Sequence, residues 1–246
     1  FVYKNIKNDV HLNSISGGTD VVGCLVLGNI FSNVHAGEIQ GESLGIDVDI
    51  FNEKGESVGA NHKGELVIKN PFPTIPIKFW NDMNNKKLKK AYFSKYKNVW
   101  YHGDFIQKTQ NGGFIMLGRS DTTLNPGGVR IGTAEIYRQV ENIEFVRESL
   151  VVGQNWKDDV RIILFVVMEI KKKLGVEEIN FIKSKIKDNC SPKHVPHKII
   201  EIPEIPRTKS GKIVELAVKK AIHGKNIENL EALSNPESIK FFKNLY

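Results

Sequence analysis

The chain has 246 residues, of which 40% are hydrophobic, 26% charged and 9% aromatic. That balance excludes a collagen, a wholly disordered chain and a disulfide scaffold, and the length allows one large domain or two smaller ones with separate cores. The net charge of +7, from 35 Lys and Arg against 28 Asp and Glu, favours a polyanionic partner, a demand that nucleotide phosphates meet as well as nucleic acid does.

The first third reads as short strands separated by turns. Ile46, Val48 and Ile50 alternate with Asp47 and Asp49, Asn52-Glu-Lys-Gly55 supplies turn chemistry, and Gly64-Glu-Leu-Val-Ile68 resumes an extended run. Together they predict a half-buried antiparallel hairpin. Pro71, Pro73 and Pro76 exclude a central strand or a helix there, because proline has no N–H to donate. The lysine-rich run from Asn84 to Lys90 reads as a solvated loop or helix face. Aromatics return at Val99-Trp-Tyr101. A further hairpin is predicted from Phe105-Ile-Gln107 and Phe114-Ile-Met-Leu117, around the turn-forming Asn111-Gly-Gly113. Gly118-Arg-Ser-Asp121 ends the strand-rich part, which places a domain boundary near Asp121.

From Gly132 onward the predicted order is helix, strand, strand, helix, strand, helix. Ile136, Val140 and Ile143 recur at i, i+4, i+7, with Thr133 positioned to cap and Glu135 in the first turn. Ser149-Leu-Val-Val152 and Ile162-Ile-Leu-Phe-Val-Val167 have strand length. Ile179, Ile182 and Ile186 mark a second amphipathic helix closed by Cys190-Ser-Pro192. Lys198-Ile-Ile200 reads as the last strand, and Val214, Val218 and Ala221 as the face of a third helix. The fold class is therefore α+β, a strand-rich part followed by a small mixed α/β domain.

Cys24 and Cys190 form no CxxC pair or Cys/His cluster, which predicts a reducing, cytoplasmic (cytosolic) compartment and no structural zinc. No apolar run reaches a membrane span and no signal peptide is visible. The first residue is Phe1, not Met, which predicts that the chain begins inside a longer one.

Four stretches carry candidate chemistry. In Ser14-Ile-Ser-Gly-Gly-Thr-Asp20, Gly17 and Gly18 let backbone approach a ligand, Thr19 can bond a phosphate oxygen and Asp20 can hold a hard cation; a plain turn between strands fits as well. In Tyr101-His-Gly-Asp104, the Asp104 carboxylate suits two vicinal hydroxyls, as in a ribose, or a surface turn. Gly118-Arg-Ser-Asp121 followed by Asn125-Pro-Gly-Gly-Val-Arg130 joins two arginines, forked donors for phosphate, to the adjacent Gly127 and Gly128. In Pro206-Arg-Thr-Lys-Ser-Gly-Lys212, a flexible segment offers Lys212 as a mobile cation for rearranging phosphate charge, or forms a solvated basic loop. The last stretch is no phosphate-binding loop, since Ile213 follows Lys212 and no glycine stands five residues before Gly211.

The order and separation of these stretches resemble the C-terminal half of the adenylate-forming acyl-CoA synthetase superfamily. Phe79-Trp-Asn-Asp82, Ala91-Tyr-Phe-Ser-Lys95 and Lys212-Ile-Val-Glu-Leu-Ala-Val218 are similar to its acetoacetate-activating family more than to its acetyl-CoA relatives. The resemblance implies residues 1–120 as the end of a large adenylate-binding domain and 121–246 as a small mobile C-terminal domain with the lysine loop. It implies ATP, Mg2+ and coenzyme A as cofactors, with acetoacetate as the acid. It also implies the reaction: an acyl-adenylate forms with loss of diphosphate, and the thiol of coenzyme A then displaces AMP. Lys212 and Thr19 would be catalytic. Gly17, Gly18, Thr19, Asp104, Arg119 and Arg130 would bind nucleotide, and Asp20 would stand beside magnesium where relatives commonly have Glu. Asp121 would be the hinge, and Gly127, Gly128 and Arg130 would meet coenzyme A. The family's Thr/Ser/Gly-rich phosphate loop is not found in residues 1–246, so the piece alone is expected to be nearly inactive. A ligase for acetate or propionate and, from another class, a basic nucleic-acid or anion-binding module stay open as alternatives. Scattered lysines without interleaved aromatics count against the last, so no nucleic-acid partner is expected.

Overall fold

The computed structural model describes residues 1–227 and 229–243. The chain divides into two compact units, Phe1–Met116 and Leu117–Tyr246.

The first unit opens with the single helical turn α1 (Val2–Asn5) and an antiparallel sheet of β1 (Ser16–Gly18), β2 (Gly23–Leu27) and β3 (Gly41–Glu42). A second sheet contains β4 (Val48–Phe51) and β5 (Lys63–Ile68), then, after helix α2 (Lys86–Tyr92), β6 (Trp100–Lys108) and β7 (Phe114–Arg119), in the order β4-β5-β6-β7. The expected β4–β5 hairpin forms, with Val48 opposite Ile68 and Phe51 opposite Glu65. Its connection is organised by Asn52, whose carboxamide oxygen accepts the N–H groups of Lys54 and Glu56. Half-burial holds only for β4. Gly64–Ile68 of β5 are all buried, because the strand lies between two neighbours and is covered on both faces. The three prolines occupy an irregular segment, as expected.

The lysine-rich run is largely helix α2, with Leu88 buried and the lysines outside. Asp82 ties its start: the two carboxylate oxygens accept the N–H groups of Lys87 and Leu88 at 2.8 and 2.9 Å. Burial alone would raise the Asp82 pKa, yet these backbone donors hold it below the usual carboxylate value. The β6–β7 turn is closed by Thr109 and Gly113, and within it Gly112 takes the positive φ.

The chain passes from the first unit to the second within β7. The second unit follows the order read from periodicity: α3 (Thr133–Val140), β8 (Val146–Trp156), β9 (Asp159–Met168), α4 (Val176–Asn189), β10 (Lys198–Glu201) and α5 (Glu215–Ile222). The central β9 pairs antiparallel with β8 and parallel with β10. Alternate β9 residues enter separate cores. Ile162, Leu164 and Val166 pack with Ile136 and Val140 of α3 and Ile182 and Ile186 of α4. Ile163, Phe165 and Val167 pack with Val218 and Ala221 of α5 and with Ile239 and Phe242 near the chain end. One expectation is corrected: Thr133 does not cap α3. It is the first helical residue and is buried, and the cap position belongs to Gly132, whose N–H donates to the Glu135 carboxylate at 2.9 Å. Among the described residues no helix is long and apolar enough to cross a membrane.

Candidate functional site

Gly17 and Gly18 lie at the end of β1, before a turn in which the Val22 N–H donates to the Thr19 carbonyl. A Cβ on Gly17 would stand 2.0 Å from the Gly23 carbonyl oxygen, and one on Gly18 would stand 2.7 Å from Cε1 of His102. Side chains are excluded there by strand pairing in one case and by an imidazole in the other. Thr19 and Asp20 are exposed.

The residues around Asp104 come from a bulged strand. Trp100 and His102 are two apart on β6, and between Tyr101 and Phe105 the pairing with β5 shifts register at Gly103, whose φ is +84°. Trp100, His102 and Asp104 are all buried. The indole N–H of Trp100 donates to Nδ1 of His102 at 3.3 Å, and Nε2 of His102 is 3.6 Å from the Asp104 carboxylate. Tyr92, at the end of α2, stacks on Trp100 with ring centroids 3.7 Å apart, and its hydroxyl donates to Asp20. Aromatic packing thus joins the Gly17–Asp20 turn to Asp104 within one unit. Tyr92, Trp100 and His102 have no role in the sequence reading. The nearness of Trp100 and His102 to Asp104 along the chain was visible in the sequence, but the bulge and the approach of Tyr92 and Gly18 depend on long-range pairing.

In the second unit the Arg119 guanidinium is 3.7 Å from the Asp121 carboxylate, and both side chains are about half exposed. The Arg119 carbonyl accepts the hydroxyls of Thr122 and Thr123, which folds the chain tightly after β7. Paired N–H to carbonyl bonds between Leu124 and Ile131 close the next loop at its base. At its tip Gly127 and Gly128 have φ of +57° and +78°, values that side chains resist. The Gly127 N–H donates to both oxygens of Asp159 at 2.9 and 3.0 Å. The N–H donors of Val160 and Gly127, with the Lys193 charge, hold the Asp159 carboxyl below its ordinary pKa. Arg130 is half-buried on the same loop. Asp159 lies far along the chain, and only the fold brings it to this loop.

Lys212 is exposed at a turn spanning 207–213. The expected flexible segment is a bonded turn. Thr208 donates its N–H to the Lys212 carbonyl at 2.8 Å and accepts the Lys212 N–H on its hydroxyl at 3.1 Å. Arg207 reaches the Gly211 carbonyl at 2.7 Å with one guanidinium nitrogen and Glu148 at 3.1 Å with another. Helix α5 follows at once. Its Glu215 accepts the hydroxyl of Tyr137 from α3, and that hydroxyl also accepts the Val151 N–H of β8 at 3.1 Å. The helices after the glycine loop and after the lysine turn are therefore fastened to each other and to the free edge of β8.

No family model matches the chain. Among solved structures it is similar to an acetoacetyl-CoA synthetase from Streptomyces lividans, with TM-score 0.88 and 38% identity, covering 95% of this chain and 35% of that one. It also resembles the anthranilate CoA ligase AuaEII, solved with anthranoyl-AMP, with TM-score 0.75 and 19% identity over 89% of this chain and 41% of that one. The fold is that of adenylate-forming CoA ligases. Among curated proteins the acetoacetyl-coenzyme A synthetase of Rhizobium meliloti (strain 1021) is 54% identical over 245 residues, 100% of this chain and 38% of that protein. The chain is homologous along its whole length to acetoacetyl-CoA synthetases and fits a C-terminal part of such an enzyme.

Proposed function

We propose that the chain is part of an acid–thiol ligase that converts acetoacetate, ATP and coenzyme A into acetoacetyl-CoA, AMP and diphosphate through an acyl-adenylate. The observation that carries this reading is 54% identity to an acetoacetyl-CoA synthetase along the whole of the present chain. The chain spans little more than a third of that protein's length, so the activity belongs to the complete protein. The cytosol is its proposed compartment.

In the first half-reaction the acid's carboxylate oxygen attacks the α-phosphorus of ATP and diphosphate departs. Such a displacement asks mainly for positioning and charge neutralisation. Thr19 contacts the adenylate phosphate, Gly17 and Gly18 admit the acyl and adenine groups, and Asp104 accepts the ribose hydroxyls. Arg119 supports the same nucleotide. Lys212 offers a compact cation to the charge that builds on the phosphate, and its bonded turn supports that role by limiting the positions the ammonium can reach. Asp20 presents one exposed carboxylate, and Tyr92 already engages one of its oxygens. Among the described residues no group of three metal-ligating side chains occurs. This donor set fits a magnesium ion that arrives on nucleotide phosphates and keeps several waters, and such an ion supplies further charge neutralisation.

In the second half-reaction the thiol displaces AMP. The part from residue 121 onward turns about Asp121, which withdraws Lys212 and brings Gly127, Gly128 and Arg130 to coenzyme A. The exposed Arg119–Asp121 pair and the compact division of the chain next to it support that hinge.

The test is Lys212→Ala in the complete protein. Acetoacetate-dependent exchange of diphosphate into ATP is expected to fall on the order of a hundredfold or more. Thioester formation from supplied acetoacetyl-adenylate is expected to change little. Equal slowing of both steps, or ADP in place of AMP as product, contradicts the proposal.

A further inference from the structure

The residues after α5 return to the Lys212 turn. Thr208 and Leu233 form an antiparallel bridge, the Lys209 N–H donates to the Ala232 carbonyl at 3.1 Å, and the Ser234 N–H donates to the Arg207 carbonyl at 2.9 Å. Asn235 uses its whole carboxamide. Oδ1 accepts the Arg207 N–H at 2.9 Å, while Nδ2 donates to the Ile205 carbonyl and the Glu204 carboxylate, each at 3.0 Å. Beyond it, Ile239 and Phe242 are buried in the core that α5 shares with β9, and the Phe242 ring meets Phe165 edge-on at 4.8 Å.

These contacts divide the work of holding the lysine. The bonds inside 207–213 fix the internal shape of the turn. Outside the turn, it is held by the Arg207–Glu148 pair on one side, by residues 232–235 on the other, and at its base by Ile213 and Val214, which pack against the core of α5 and β9. We infer that residues 232–235 are a strap that sets the Lys212 turn, with Asn235 as its positioning residue. The inference rests on the reading of Lys212 as the lysine of the adenylation step. Its physical basis is the sensitivity of catalysis to placement, since a displacement of about 1 Å can cost on the order of a hundredfold in rate.

The experiment uses the complete protein that contains this chain. Asn235→Ala removes three hydrogen bonds to residues 204–207. Amide hydrogen exchange at Thr208 to Lys212 is expected to accelerate about tenfold, with exchange in β9 unchanged. The kcat of diphosphate exchange should fall about tenfold at unchanged KM for ATP, and thioester formation from supplied adenylate should keep its rate. Asn235→Asp is nearly isosteric and keeps the acceptor for Arg207 but loses both donors. Its second oxygen also faces the Glu204 carboxylate and the Ile205 carbonyl, so it should shift both readouts in the same direction by at least as much, and Asn235→Ser, which adds no charge, serves if those variants fail to fold. Exchange at 208–212 at the wild-type rate in the folded variants overturns the strap. Faster exchange with unchanged adenylation kcat overturns its positioning role. Lys212→Ala run in parallel separates the two ideas: wild-type adenylation there refutes the role of Lys212, while exchange in the Asn235 variants still decides the strap.

Discussion

Replacing Tyr137 with Phe removes a single oxygen that serves three elements. The hydroxyl donates to Glu215 at the start of α5 and accepts the Val151 N–H on the edge of β8. Val151 is fully buried, so its N–H loses its acceptor where water has little access. A buried donor left without a partner costs roughly 1–3 kcal/mol. Glu215 is half-exposed and can recover water, so its lost bond adds about 1 kcal/mol at most. The expected loss is about 2.5 kcal/mol, which is roughly a 60-fold drop in amide protection across β8 and β9. Hydrogen exchange by mass spectrometry measures it.

Alkaline titration supplies a second arm. Burial, then the charge of Glu215, pushes the Tyr137 hydroxyl well above its ordinary value of 10.0. The folded state therefore binds this proton more tightly than the unfolded one. Its stability contribution is complete below about pH 10 and is lost as pH rises through the folded value. Tyr137→Phe should lack that alkaline loss. A loss of protection under fivefold, or the same alkaline decline in the variant, would refute the bridge.

Two further outcomes follow from the geometry. Gly18→Ala drives a methyl group against the His102 ring, at 2.7 Å from Cε1. It should lower stability by about 1–3 kcal/mol in urea titration and weaken nucleotide binding by the complete protein in calorimetry; wild-type values in both would dismiss the contact. Asp159→Asn alters the partner of the Gly127 N–H. In the wild type the folded pKa lies below the unfolded one, so the stabilisation is present above about pH 4 and is lost as pH falls through the folded value. The variant should show a shallower acid limb in thermal melting between about pH 2 and 4, and an unchanged limb would rule out this contact as its source.

Much of the second unit was legible because its elements are long and periodic. Ile179, Ile182 and Ile186 announced α4, and the apolar run at 162–167 announced β9. The sheet of β1, β2 and β3 was not, since a three-residue Ser-Gly-Gly strand has no alternation to read. Thr133 as a cap was a reasonable reading of residue type, but Glu135 satisfies the N–H of Gly132 and leaves Thr133 inside the helix. The four candidate stretches stood out for their glycines and charges, yet the first two also fitted an ordinary turn and the last a solvated basic loop. Their supporting residues arise from contacts between distant segments. Tyr92 meets Asp20 across 72 positions, Asp159 meets Gly127 across 32, and Asn235 meets Arg207 across 28. No local pattern encodes such pairs.

The two-sided packing of β9 bears on how this sequence can drift. From Arg161 to Met168 every residue is buried, and from Ile162 onward odd and even positions are committed to different interiors. A deletion of one residue there would not trim the strand but would trade the contents of the two interiors, setting Phe165 where Leu164 or Val166 belongs. Length changes should therefore be absent from this strand across descendants of the gene, while the exposed Lys157–Asp158 turn before it remains free to vary.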